Sequence, residues 1–257
     1  MVEISFIQMI LSVFSGFLVG FSLGLIGGGG SILAIPLLIY LVGIKDPHMA
    51  IGTTALAVGL NAFINVIPHI RKGHVDLKTG SVFAVLGVLG VLSGAELGLV
   101  TPGEKLLLLF AILMIIIAIY MIKRRYGEEQ VSSQTKRSYT KIMGTGFVVG
   151  FASGYFGIGG GFLIVPGLIY SGGLDILKAV GTSLISVGIF GVTTALRYSL
   201  NGYLDLPISI LYLLGGVLGG WLGAHVTTTI SKKTLTRIFA IIMILVAIYM
   251  IYRTIHG

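Results

Sequence analysis

Residues 16–36 read GFLVGFSLGLIGGGGSILAIP, and residues 146–166 read GFVVGFASGYFGIGGGFLIVP; eleven of the 21 positions are identical. The match continues with the offset falling from 130 to 129. Gly52-Thr53-Thr54 returns as Gly181-Thr182-Ser183, Gly73 and Asp76 as Gly202 and Asp205, and Gly94-Ala95 as Gly223-Ala224. The ends, FAILMIIIAIYMI at 110–122 and FAIIMILVAIYMI at 239–251, share ten of 13 positions. Apolar bias alone would not keep Gly, Pro, Thr and Asp in register, so the chain is a tandem duplication. A first repeat covers 1–122, a basic linker covers 123–141, and a second repeat covers 142–257.

Composition fixes the solvent. Of 257 residues, 55% are hydrophobic and 10% charged, with a mean hydropathy of +1.03. A soluble domain carries about 25% charged residues, so this inventory cannot clothe a water-facing surface. Apolar runs approaching the roughly 20 residues of a bilayer crossing recur along the chain. The fold class expected is an all-α polytopic membrane protein. Each half would contain a Gly-interrupted, broken or re-entrant helix (about 5–43 and 142–173) and then three plainer transmembrane spans. Those spans are expected at about 49–69, 78–98 and 104–122, and at 178–198, 206–227 and 233–252. Within the second interrupted segment, Met143 to Phe156 would measure about 21 Å as helix and Phe162 to Gly172 about 17 Å. Both are too short for a core of roughly 30 Å, which places the glycine loop at depth.

The net charge of +8 invites a nucleic-acid reading, but the basic residues sit between apolar runs, as the positive-inside rule requires. No nucleic acid is expected as a partner; the lipid bilayer is. If each interrupted segment makes no net crossing, the repeats are inverted and 13 of the 17 Lys and Arg fall on one side with the linker. If it crosses once, the repeats are parallel and the split is eleven to six. The rule favours inverted repeats in a cell membrane, with the linker on the cytoplasmic side. The N-terminus lacks a basic n-region and a cleavage site, so no removable signal peptide is expected. Zero cysteines exclude disulfides and thiolate chemistry. There is no HExxH, nucleophile elbow or Walker loop, and the five histidines lack metal-ligand spacing within one helix. No enzyme activity, metal or cofactor is expected.

What remains is backbone chemistry. Gly27, Gly28, Gly29, Gly30 and Ser31, with Gly157, Gly159, Gly160 and Gly161, interrupt apolar helices at equivalent places, each followed by a proline (Pro36, Pro166). Non-helical backbone at membrane depth needs a protein or polar-cavity neighbour. Glycine bares N–H groups, and the following helix adds its positive dipole end, so the pair suits a small anion. Close helix packing is the alternative use of such glycines. Thr53, Thr54, Thr182 and Ser183 either complete that shell or bond the preceding turn of their own helices. Asn61 and Asn65 lie one turn apart, followed by His69; their repeat equivalents are Phe190, Thr194 and Tyr198. Asn61 is favoured as a lining residue. Glu96 and its partner position His225 are the span-borne groups able to carry a proton, which makes them candidates for coupling. Arg197 is expected to snorkel outward beside Asn201 and Tyr203, and Asp76 and Asp205 to cap helices.

The duplicated pattern G-F-x-x-G-x-x-x-G-x-x-G-x-G-G, a proline soon after, and the following A-x-G-T-[TS] (Ala50–Thr54, Ala179–Ser183) resemble the sulfite exporter TauE/SafE family, over about residues 8–252. The resemblance implies a prokaryotic inner-membrane carrier for small sulfur-containing anions such as sulfite, sulfonates or sulfoacetate, driven by an ion or electrochemical gradient. The sequence departs from the pattern between its own halves, where Gly28 and Ser31 become Ile158 and Gly161, so matched roles for the two breaks do not follow. A secondary carrier working by alternating access is the leading expectation, with a passive anion channel or an assembly subunit as rivals. The coupling ion, proton or sodium, stays open, as does a homo-oligomeric state.

Overall fold

The computed structural model describes residues 5–26, 28–123, 138–157, 161–226 and 232–256. Those residues form ten α-helices and one 3₁₀ helix, with no strand among them. In chain order they are α1 (Phe6–Ile26), the 3₁₀ segment Gly28–Leu33, α2 (Ala34–Tyr40), α3 (Pro47–Arg71), α4 (Leu77–Val100), α5 (Gly103–Lys123), α6 (Tyr139–Phe156), α7 (Gly161–Gly172), α8 (Ile176–Ser199), α9 (Leu206–Val226) and α10 (Lys232–His256). Seven of them are long and apolar enough to cross a membrane. The six plain spans start and stop within a few residues of where hydropathy puts them. Aspartates set several of those starts. Asp46 accepts from the N–H groups of His48 and Met49, Asp76 from Thr79, Asp175 from Lys178, and Asp205 from Ile208, each satisfying an N-terminal donor that the helix itself leaves orphaned.

The second interrupted segment departs from expectation in the length of its first limb, and the first segment opens on a long limb too. α6 has 18 residues rather than 14 and α1 has 21, about 27 and 32 Å at 1.5 Å per residue. The helix begins at Tyr139 because Tyr, Thr and Lys141 continue a helix at a membrane edge as readily as apolar residues do, their polar ends reaching outward. The return limbs are short, seven residues in α2 and 12 in α7. Each interrupted segment is therefore a hairpin with one long and one short arm. Gly172, at the end of α7, comes back beside Thr79 near the start of α4, so the second hairpin returns to the end of the bundle from which α6 sets out.

The halves are interwoven. α1 of the first repeat runs alongside α9 of the second, and α6 of the second alongside α4 of the first. Both seams are parallel and of backbone-to-backbone tightness. A Cβ on Gly16 or Gly20 would collide with the carbonyl of Tyr212 or Gly216, and one on Gly146 or Gly150 with that of Phe83 or Gly87. Tyr212 and Gly216 are the repeat equivalents of Phe83 and Gly87. Small residues allow this approach where water supplies no drive between helices. At the centre, α3 and its own repeat equivalent α8 cross in antiparallel sense: Gly52 meets Tyr198 and Tyr203, Gly59 meets Gly191, and Gly181 meets His69 and His74. α5 and α10, also equivalents, pair beside them. The buried core runs through all these contacts, while one face of α5 and α10 shows Ile112, Ile116, Ile241, Leu245 and Ile248 to the outside, as lipid-facing helices do.

Candidate functional site

The two interruptions meet. The 3₁₀ segment that carries Gly28–Leu33 packs against α7, which begins at Gly161, and both approach α8. The chain does not open into a loose loop at the first glycine cluster. Gly28, Gly29, Gly30 and Ser31 wind as a 3₁₀ helix, whose i→i+3 bonding tightens the turn and delivers the chain into α2. Ser31 is fully buried within it. At the second cluster α6 stops on Gly157, which adopts φ +67° and ψ 16°. That left-handed conformation suits glycine, and a side chain there would also strike Ile51. Gly161 opens α7 and is buried. Gly27, Gly159 and Gly160 lie outside the described residues. Pro166 sits within α7, where it cannot donate to the carbonyl of Phe162 and so leaves that group without its usual helical partner.

The hydroxyls flanking these breaks divide into two pairs. Thr54 Oγ1 donates to the carbonyl of Ala50 (2.7 Å) and Ser183 Oγ to that of Val180 (2.8 Å): both bond the preceding turn of their own helix. Thr53 and Thr182 reach across the repeats. Thr53 Oγ1 accepts from the backbone N–H of Asp205 (3.0 Å), and Thr182 Oγ1 accepts from that of Asp76 (2.9 Å). Each threonine thus holds the N-cap residue of a span in the other half. The neighbouring glycines serve the same crossing, since a side chain at Gly52 would hit the carbonyl of Tyr203 and one at Gly181 that of His74. All four hydroxyl residues are buried.

Asn61 is buried on α3, and its Oδ1 accepts from Asn65 Nδ2 at 3.0 Å. Asn61 lies beside Gly216 and Asn65 beside Gly220, on α9. Glu96 is not a free carboxylate. Its two oxygens are gripped by Arg197 of α8, through Nε and through Nη2 at 2.7 Å. Arg197 does reach outward, but its partner there is Glu96; only its backbone carbonyl meets Asn201, whose side-chain N–H donates to it at 3.2 Å. The fork links the ends of α4 and α8, one from each half, and its fixed two-point geometry suits Arg and a carboxylate. Position 225, the repeat equivalent of Glu96, carries His225 on α9, and its side chain lies outside the described residues. Three buried serines that sequence reasoning passed over, Ser15, Ser153 and Ser186, have hydroxyls with no hydrogen-bond partner among the described residues. Ser186 had a legible signal, one helical turn beyond Thr182. Ser15 and Ser153 carried none. No group of three or more His, Asp or Glu able to hold a metal is present among the described residues.

Comparison with known proteins agrees with this architecture. The family model described as sulfite exporter TauE/SafE matches residues 12–250. A probable membrane transporter protein of Xylella fastidiosa (strain 9a5c) is 44% identical over 251 residues, 96% of each chain. The probable membrane transporter protein YdhB of Bacillus subtilis is 29% identical, covering 85% of this chain and 90% of its own. A probable membrane transporter protein of Methanocaldococcus jannaschii, MJ0441, is 28% identical over 97% and 98%. No solved structure matches. With duplicated glycine-broken hairpins, a helical bundle of membrane-span length and a family match over nearly its whole length, this multi-pass membrane transporter belongs to the sulfite exporter TauE/SafE family.

Proposed function

We propose that the protein is a secondary carrier that moves a small sulfur-containing oxyanion (sulfite, a sulfonate or sulfoacetate) across the cell membrane by alternating access. The observation that carries this reading is the meeting of the two glycine breaks, the 3₁₀ segment against α7, in a bundle whose described residues hold no metal cluster. Backbone N–H groups of Gly27–Gly30 and of Gly157 and Gly159–Gly161, with Ser31, would face the anion from two sides. The helix running from Ser31 to Tyr40 and the 12-residue α7 would add their N-terminal dipoles. The second turn, Thr53 and Thr182, would hold the frame, with Thr54, Ser183 and Asn61 behind it.

The antiparallel crossing of α3 on α8 supports inverted repeats, which would rock about the central site. In that arrangement the linker and residues 71–78 and 232–237 lie in the cytoplasm, and the Glu96–Arg197 pair lies at the opposite end. A proton or sodium ion would drive transport.

The test is uptake of radiolabelled sulfite into proteoliposomes, with sulfoacetate, thiosulfate, sulfate, nitrate and acetate as competitors. Saturable, gradient-coupled flux competed by the sulfur anions is expected, and it should be lost in Gly29→Val and Gly159→Val. Ohmic single-channel current would replace the carrier with a channel. Both variants folding and transporting like wild type would sink the role of the glycine breaks.

A further inference from the structure

Ser186, Thr194 and Tyr198 of α8 are each fully buried, and the hydroxyl of each lacks a hydrogen-bond partner among the described residues. Together with Thr182 and Phe190 they recur every four residues, so they form one stripe along the helix. Its two ends and its middle, Thr182, Tyr198 and Phe190, meet α4, and Ser186 and Thr194 fall between them. The Thr182 methyl lies 2.9 Å from where a Cβ on Gly80 would stand, the Phe190 ring fills the slot at Gly87, and the Tyr198 hydroxyl lies 2.6 Å from a Cβ position on Gly98. A helical serine or threonine normally satisfies itself by donating to the carbonyl four residues back. Thr193 does so, to Ile189 at 2.7 Å; its neighbour Thr194 does not. A buried hydroxyl without a partner has given up its water hydrogen bonds and received nothing in return, which points to a partner that is absent from the resting chain.

The equivalent stripe of α3 is built differently. Thr53, Ala57, Asn61, Asn65 and His69 occupy its positions, and there the two amides bond each other. On α8 three hydroxyls of the stripe stand without a partner among the described residues, whereas on α3 the corresponding atom is His69 Nδ1 alone; the α8 row is divided at its centre. Phe190 stacks on Phe83 of α4 with ring centroids 6.3 Å apart, leaving Ser186 on one side and Thr194 and Tyr198 on the other.

We propose that the hydroxyls of Ser186, Thr194 and Tyr198 are successive donors to the oxyanion as it travels along the α4–α8 seam, and that Phe190 against Phe83 is the plug closing that seam. The inference rests on the oxyanion-carrier reading. Neutral hydroxyls fit the task because a permeating ion must be held well enough to enter and loosely enough to leave; a buried lysine or arginine would hold it too firmly. The seam also adjoins the glycine breaks, since α7 and the 3₁₀ segment pack on α8.

Sulfite transport by Ser186→Ala, Thr194→Val, Thr194→Ser and Tyr198→Phe, in proteoliposomes with radiolabelled sulfite, tests it alongside melting temperatures with and without sulfite. Thr194→Val and Ser186→Ala are each expected to raise KM about tenfold, the worth of one hydrogen bond to a charged partner. Their unliganded melting temperatures should hold or rise, because an unsatisfied group has been removed. Thr194→Ser keeps the hydroxyl and should transport as wild type does. Unchanged KM in both variants, with or without a rise in melting temperature, would show the hydroxyls to be merely unsatisfied or hydrated and would overturn the proposal while leaving the carrier reading standing. A wild type that neither transports nor is stabilised by sulfite, sulfoacetate or thiosulfate would overturn both.

Discussion

The seams α1–α9 and α4–α6 are the same structure built twice, whereas the stripes on α3 and α8 are the same position filled twice with different chemistry. At the seams the duplicated chain has kept its glycines in register, Gly20 against Gly216 and Gly150 against Gly87, because a Cβ at these positions would strike the facing backbone. On the stripes Asn61 stands where the second half has Phe190, and Ala57 where it has Ser186. Backbone contact constrains the frame tightly, whereas the side-chain stripes have diverged. The two halves are alike as scaffolding and unlike along these stripes.

The largest effects should come from the shared frame. Gly20→Val and Gly150→Val each drive a side chain into a carbonyl of the facing helix. Overpacking of this kind costs about 3 kcal/mol or more where the backbone cannot shift. Both variants should fail to give a monodisperse peak in detergent gel filtration. A tolerated substitution in one half alone would break the equivalence of the seams. Next come Thr53→Val and Thr182→Val, which strand the backbone N–H of Asp205 and of Asp76. Each is expected to lose about 1–3 kcal/mol, read as similar drops in melting temperature. Thr53 also offers its carbonyl to Ser209 Oγ at 2.9 Å, so a Ser209→Ala variant should destabilise by less than Thr53→Val, and a larger loss would shift the anchor from the threonine hydroxyl to the serine. The smallest effect is expected at Glu96, whose repeat equivalent is His225. Glu96→Gln breaks an exposed fork, and such pairs contribute little to stability. Its melting temperature should match wild type within error. A clear stability loss in Glu96→Gln would mean that the α4–α8 ends are clamped rather than merely bridged.

Much of this was readable from the chain. Glycine register exposed the duplication, and hydropathy located six spans, because in a bilayer both signals answer directly to solvent and backbone packing. The long arm of the second hairpin is misjudged at Tyr139–Lys141, where polar residues prolong a helix that an apolar count ends early. The partners of Thr53 and Thr182 were invisible for a different reason. They lie 152 and 106 residues away, and nothing local marks a threonine that caps another half's turn from one that bonds its own. Glu96 and Arg197 escaped likewise: each reads alone as an interfacial charge, and only the crossing of α4 by α8 brings them together. The glycine clusters were legible as breaks, but nothing local marks that one of them winds into a 3₁₀ segment packed against α7 of the other half.

The interweaving of the halves has a consequence for how the protein is made. A ribosome delivers α1 to the membrane first and α9 nearly last, so the opening helix waits for about 200 further residues before its glycine face meets the one that fits it. α4 waits only for α6. The packing partners therefore become available from the middle of the chain outward: α4 meets α6, then α3 meets α8, then α1 meets α9, and α5 waits for α10 at the very end.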